Sequence, residues 1–210
     1  MAEPAHPALA VGKVRYVGDQ VAIVIAETYS QAKDAAERIA VEYQPLAAVT
    51  DTDTVRDAGS AVLWEECPDN ESFVFSQGDK QAVDAAFARA DHVTELRIAF
   101  NRVTAATMEP RGCLGEFDTS TGRLTFYTST QNVHGIRQGL AAQNLNVPES
   151  MIRVVAKDVG GGFGMKGHVY PEEAVVAWAC KRVERPVKWI ATRSEAMMGD
   201  DHGRDQTVEV

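Results

Sequence analysis

The sequence predicts an α+β fold in two parts, and three observations carry that prediction. The first fifty residues read as a β-β-α-β unit. A strand pair flanking 118–122 reads as an antiparallel hairpin. A glycine-rich loop, 159–168, leads from an apolar strand into an apolar helix at Pro171. The 210 residues are 45% hydrophobic and 24% charged, the balance of a globular protein of one or two domains.

Strands are expected at 13–17 and 21–26, joined by a tight turn at Gly18-Asp19. Ser30 is placed to cap a helix whose Ala32, Ala35, Ala36, Ile39 and Ala40 recur at helical spacing. Extended structure resumes at 41–43 until Pro45. The acidic, glycine- and proline-bearing stretch that follows reads as a linker. The domain limits so expected are 1–52, a linker at 53–71 and a second domain at 72–210.

In the second part, Asp79 caps a helix with Val83, Ala86, Phe87 and Ala90 on one face. A strand is expected at 93–100, and a hairpin at 112–117 and 123–128. Asn132 caps a helix carrying Val133, Ile136 and Leu140. The helix from Pro171 has Glu172 and Glu173 at its positive end and Lys181 and Arg182 at its negative end. Residues 174–180 are apolar all round, Trp178 included, so this helix is expected to be buried, with Cys180 as a packed helix residue. Strands at 187–190 and from Gln206 follow, with a short helix opening at Arg193. Nothing caps the last strand, and the chain reads as part of a longer protein.

Charge and cysteine content exclude several functions. A net charge of −9 without a basic stripe argues against nucleic acid. The apolar run at 174–180 is too short to span a bilayer. Cys67, Cys113 and Cys180 are too few and too far apart for an iron–sulfur cluster or a zinc site, and no histidine stands at metal-ligand spacing. No metal ligand is therefore assigned. The odd cysteine count and missing export signal place the protein in a reducing cytoplasm.

The glycine loop is the candidate site. Three consecutive glycines are entropically costly and fit a backbone that must approach something a Cβ would block. The loop is no phosphate-binding Walker loop, because Lys166 precedes Gly167 rather than Ser or Thr. Gly162, Gly164 and Gly167 match a dinucleotide fingerprint, which leaves an NAD(P)-binding dehydrogenase domain as one alternative. No acidic residue ends the strand at 187–190 to hold a ribose. Glu109 and Arg111 read as a charge pair bracing a cleft, and His168 as a solvated loop histidine.

Several short motifs carry a resemblance: Met108-Glu109-Pro110-Arg111, Ser129-Thr130-Gln131-Asn132, the glycine loop, Tyr170-Pro171-Glu172-Glu173 and His202-Gly203-Arg204-Asp205. In this order they resemble the molybdenum hydroxylase family of xanthine dehydrogenase and aldehyde oxidase, closest to the aerobic carbon monoxide dehydrogenase-like large subunit. The resemblance implies the end of an α/β-hammerhead domain followed by the first part of a molybdopterin-binding domain. It implies oxidation of carbon monoxide, an aldehyde or an N-heterocycle with water as oxygen source.

By the same resemblance, Gln131 matches the glutamine that donates toward the molybdenum centre. Phe163 and Gly164 match positions whose backbone approaches the cofactor, and Gly162 gives them room. The implied cofactor is molybdenum-molybdopterin, as molybdopterin cytosine dinucleotide. Iron–sulfur clusters and FAD would sit on partner subunits, beside the remainder of the large subunit and a small-molecule substrate. The family's catalytic glutamate lies downstream of this chain, so no catalytic residue is assigned here. Gly167 stands where the purine-oxidising branch has a glutamate. A non-catalytic remnant of the family is the other alternative.

Overall fold

A computed structural model describes residues 2–210. The chain contains helices α1 (Tyr29–Ala36), α2 (Lys80–Phe87), α3 (Val133–Gly139), α4 (Pro171–Val183) and α5 (Arg193–Gly199). Its strands are β1 (Arg97–Phe100), β2 (Val103–Thr104), β3 (Gly112–Asp118), β4 (Arg123–Thr128), β5 (Ile152–Val155), β6 (Val187–Ile190), β7 (His202–Gly203) and β8 (Gln206–Glu209). Two compact units form, each assembled from separate stretches. One takes the residues up to Ala5, Tyr43–Val103 and Gly203–Val210. The other takes His6–Glu42 and Thr104–His202.

The larger unit is built on a four-stranded sheet in the order β5-β4-β3-β6. β3 pairs antiparallel with both β4 and β6, and β4 pairs parallel with β5. One parallel pair among three does not make the doubly wound parallel sheet that dinucleotide binding requires, and the dehydrogenase alternative falls with it. β5 and β6 run in the same direction at opposite edges, so the glycine loop and α4 form the crossover between them.

The hairpin forms as its sequence dictates. Asp118 accepts from the Ser120 amide and from the Ser120 and Thr121 hydroxyls, and Gly122 supplies a φ of 69°. Cys113, Leu124, Phe126, Ile152 and Val187 alternate onto one sheet face. They meet Ile136 and Leu140 on one side and Val176, Ala177 and Cys180 of α4 on the other. Asn132 caps α3 through the Gly135 amide, and a π-helical turn, Leu140–Leu145, extends that helix. α4 is buried along most of its length, Cys180 fully, but Trp178 is 52% exposed and the helix is not enclosed all round. At Gly115 an added Cβ would lie 2.7 Å from the Cys180 sulfur, so α4 sits against β3 at glycine distance.

The N-terminal part departs from expectation. No strand ladder forms over 13–17, 21–26 or 41–43 among the described residues; Tyr16 and Val17 instead enter a turn in which the Asp19 amide donates to the Tyr16 carbonyl. Val21, Ile23 and Ile25 remain more than a third exposed. Thr28, not Ser30, caps α1, because Thr28 and Gln31 form a reciprocal capping box two residues earlier. The helix ends at Ala36, so Ile39 and Ala40 fall outside it.

In the smaller unit β1 and β8 pair antiparallel, Arg97 opposite Glu209, and Asp79 caps α2 as its sequence predicts. The strand expected at 93–100 is shorter, beginning at Arg97. The acidic stretch before it is tied rather than loose. Asn70, at φ 57°, accepts from the Leu63 amide and donates to the Val55 and Ala61 carbonyls.

Gly115→Ala should overpack the β3–α4 contact and cost about 1–3 kcal/mol. Thermal denaturation of the variant checks this, and an unchanged midpoint would show that α4 has room to move away.

Candidate cofactor site

The glycine loop lies between two short segments from elsewhere in the larger unit. On one side is Glu109. Its amide donates to the Gly160 carbonyl at 3.1 Å, and its carboxylate accepts from the Gly160 amide at 2.8 Å. An added Cβ at Gly160 would stand 2.4 Å from the Glu109 Cβ, so only glycine permits this two-point contact. On the other side is Thr130-Gln131-Asn132. The Thr130 hydroxyl and the Gln131 amide both donate to the Lys166 carbonyl at 2.9 Å, and the Asn132 side chain donates to the Gly167 carbonyl at 3.2 Å.

Lys166 crosses beneath the loop. Its side chain is 1% exposed, and its ammonium donates to the Glu109 carbonyl at 2.9 Å and the Glu109 carboxylate at 3.0 Å. Burial raises the Glu109 carboxyl pKa, but the Gly160 amide and the Lys166 ammonium outweigh it and leave the group below its ordinary value. Nothing in the sequence singled out Lys166 for this role.

Gln131 is exposed at the head of α3, and its Oε1 accepts from the Gly164 amide at 2.9 Å. Among the described residues its NH2 group has no protein partner. A carboxamide held by its oxygen presents its two N–H donors outward. Gly164 adopts φ 89°, which a side chain would strain. The space where its Cβ would stand is empty to 4 Å. Phe163, at φ 51°, carries an 80% exposed ring. The four predicted residues therefore come together: Gln131 lies against Gly162 and bonds Gly164, with Phe163 between the two glycines. The Gly164 N–H is directed at Gln131.

Behind the loop the remaining motifs interlock. Arg111 is buried, and it bonds Glu172 through Nη1 and Asp200 through Nε at 2.7 Å. Its guanidinium lies 3.5 Å from the centre of the Tyr170 ring. The expected pair of Glu109 with Arg111 does not form. Each side chain has other partners, Glu109 bonding Lys166 and Arg111 bonding Glu172 and Asp200.

Glu172 and Glu173 thus do more than complement a helix dipole. Both are buried, Glu173 bonding the Thr128 hydroxyl and the Tyr170 amide. The Tyr170 hydroxyl donates to the Met165 carbonyl at 2.9 Å, so the helix start also fastens the loop. His168 is half-exposed as a loop histidine, yet it is not free. It stacks on Tyr170 at 4.6 Å and pairs with Asp201 at 3.1 Å, which raises its pKa.

Segments up to 89 residues apart in sequence are therefore joined at and behind one glycine loop, within a stretch of chain that matches a known family. Residues 63–210 match the family described as molybdopterin cofactor-binding domain. The chain belongs to that family. Residues 1–47 match the a/b hammerhead domain of aldehyde oxidase and xanthine dehydrogenase. The chain is 37% identical over 204 residues to the nicotine 6-hydroxylase large subunit of Paenarthrobacter nicotinovorans, covering 97% of this chain and 25% of that one. It is 34% identical to the carbon monoxide dehydrogenase large chain of Hydrogenophaga pseudoflava, covering 96% and 26%. Among solved structures it resembles quinoline 2-oxidoreductase from Pseudomonas putida 86, with a TM-score of 0.87, 35% identity and coverage of 99% and 26%. The chain spans about a quarter of the length of the curated relatives it matches.

The residues present fit the family's cofactor. A free carboxamide NH2 beside an open glycine face provides neutral donors for a polar, oxygen-rich group. A Cβ at Gly162 would fall 2.3 Å from the Gln131 oxygen and close that arrangement. No helix of the described residues is long and apolar enough to cross a membrane, and no group of three metal-ligating side chains occurs among them.

Two predictions follow from this geometry. Gly162→Ala should displace the exposed Gln131 side chain from the Gly164 amide and cost about 0.5–1.5 kcal/mol for that hydrogen bond, whereas Gly167→Ala, whose Cβ would meet nothing within 4 Å, should stay within roughly 0.5 kcal/mol. Denaturant unfolding of both variants checks the contrast.

The second concerns pH. Burial pushes the Glu172 carboxyl up to about 7 against the lowering pull of Arg111, since Glu173 and Asp200 also surround that single guanidinium. The folded chain then holds this proton longer than the unfolded chain. Its contribution to stability is full below about 4.5 and is lost as pH rises through about 7. Melting midpoints across that window should fall less steeply in Glu172→Gln than in the parent; equal slopes would refute the assignment.

Proposed function

We propose that this chain forms the part of a molybdenum hydroxylase large subunit that holds the molybdenum-molybdopterin cofactor at its glycine loop. The observation that carries the reading is the Gln131 carboxamide, fixed by Gly164 through its oxygen and left with free N–H donors over an open glycine face. Molybdenum held in molybdopterin supplies redox chemistry with water as the source of oxygen. Gln131 would donate to it, Gly162 would leave room for that contact, and Phe163 and Gly164 would set the backbone at its edge.

The finer reading follows the same similarity. The cofactor would be molybdopterin cytosine dinucleotide, with iron–sulfur clusters and FAD on partner subunits, since Cys67, Cys113 and Cys180 are separate buried thiols. Burial pushes the Cys180 thiol up to about 11, which makes it a poor metal ligand. The hammerhead part would cover 1–52 and the molybdopterin-binding part 72–210, with 53–71 between them. The substrate would be a small molecule such as carbon monoxide, an aldehyde or an N-heterocycle, and the setting the cytoplasm. The proton-abstracting base would come from the remainder of the subunit.

The test is the native polypeptide from its source cells, weighed and assayed for molybdenum in one fraction. Molybdenum bound to a chain longer than 210 residues is expected. In that protein Gln131→Ala should lower turnover by roughly a hundredfold while leaving the fold intact. A metal-free native chain would overturn the reading in favour of a non-catalytic member of the family.

A further inference from the structure

We infer that Glu109 and Lys166 act as a positioning pair that sets the orientation of the Gln131 carboxamide, an inference that rests on the cofactor reading above. A buried ammonium is costly unless charged or carbonyl oxygens surround it. Lys166 satisfies that condition by gripping both the carbonyl and the carboxylate of Glu109. The same carboxylate holds the Gly160 amide at one end of the loop. The Lys166 carbonyl receives the Gln131 amide and the Thr130 hydroxyl at the other end.

The consequence is a closed circuit. Glu109 fixes Gly160, Lys166 ties Glu109 to the Gln131 backbone, and Gly164 fixes the Gln131 side chain through Oε1. Between these anchors the loop bonds within itself, the Met165 amide donating to the Gly162 carbonyl. Two consecutive positive-φ residues, Phe163 and Gly164, aim the Gly164 amide at Gln131. Loosening either end lets the Gly164 amide swing away, and the carboxamide is then free to rotate and exchange its donors for an acceptor. Neither Glu109 nor Lys166 needs to touch the cofactor. Glu109 is partly exposed, so removing Lys166 leaves a solvated carboxylate rather than a stranded charge.

The inference is tested on the full protein with Lys166→Met, Glu109→Ala and Glu109→Gln, beside Gln131→Ala. In the cofactor-free protein, hydrogen exchange of the Gly160 and Gly164 amides should quicken about tenfold or more in Lys166→Met and Glu109→Ala, while the β3–β4 hairpin keeps its rates. Glu109→Gln retains an acceptor for the Gly160 amide and should recover most of that protection. In the loaded protein, Lys166→Met should alter the electron paramagnetic resonance spectrum of the molybdenum in the same sense as Gln131→Ala. Unchanged exchange in both Lys166→Met and Glu109→Ala would overturn the circuit. Quickened exchange with a parental spectrum, where Gln131→Ala changes that spectrum, would reduce the pair to ordinary loop anchors and overturn the positioning role. A parental spectrum and molybdenum content in Gln131→Ala would instead overturn the cofactor reading.

Discussion

The buried ammonium of Lys166 is the constraint on which the site depends. It is removed from water at the centre of a loop too rich in glycine to hold a shape of its own. Its charge is satisfied only when the Glu109 segment lies against the glycine loop, and its backbone carbonyl then joins the segment entering α3. Glu109 supplies two oxygens to the ammonium, and the lysine carbonyl draws in Thr130 and Gln131. Charge satisfaction therefore does for this loop what a hydrophobic side chain does for an ordinary core segment.

A second polar layer lies behind the first and is arranged differently. Arg111 is a single buried cation with two carboxylate partners, Glu172 and Asp200, and Glu173 lies close by. The surplus of negative charge is tempered by the stacking of the guanidinium on Tyr170 and by the hydroxyl of Thr128 on Glu173. Tyr170 joins the two layers, because its ring covers Arg111 while its hydroxyl holds the Met165 carbonyl. The start of α4 is consequently fixed to the sheet and to the loop at once, and a loop so held can keep an open outer face.

The glycines divide the work in a way that spacing does not reveal. Gly160 and Gly162 are required because Glu109 and Gln131 occupy the positions of their Cβ atoms. Gly161 and Gly164 are required because their backbones are left-handed. Gly167 meets neither condition. A literal fingerprint match at Gly162, Gly164 and Gly167 therefore groups residues whose physical reasons differ, and it pointed toward a parallel fold that the sheet does not have.

What the sequence by itself determined were features whose causes are local. The caps at Asp79 and Asn132, the hairpin around Asp118–Arg123, the span of α4 and the extended strand at 187–190 each follow from neighbours within a few residues. The family was legible too, because its motifs are short and ordered along the chain. The tertiary structure alone decided the rest. It separated Glu109 from Arg111, gave Lys166 its partners, turned the Gln131 oxygen toward Gly164 and left Trp178 half out of the core. It also formed no strand ladder at 13–17, 21–26 or 41–43 among the described residues, because a ladder needs a second chain segment in register, which no local pattern can supply. Each of these outcomes depends on groups tens of residues away, and a charge or an amide in sequence does not carry the direction in which its partner will lie.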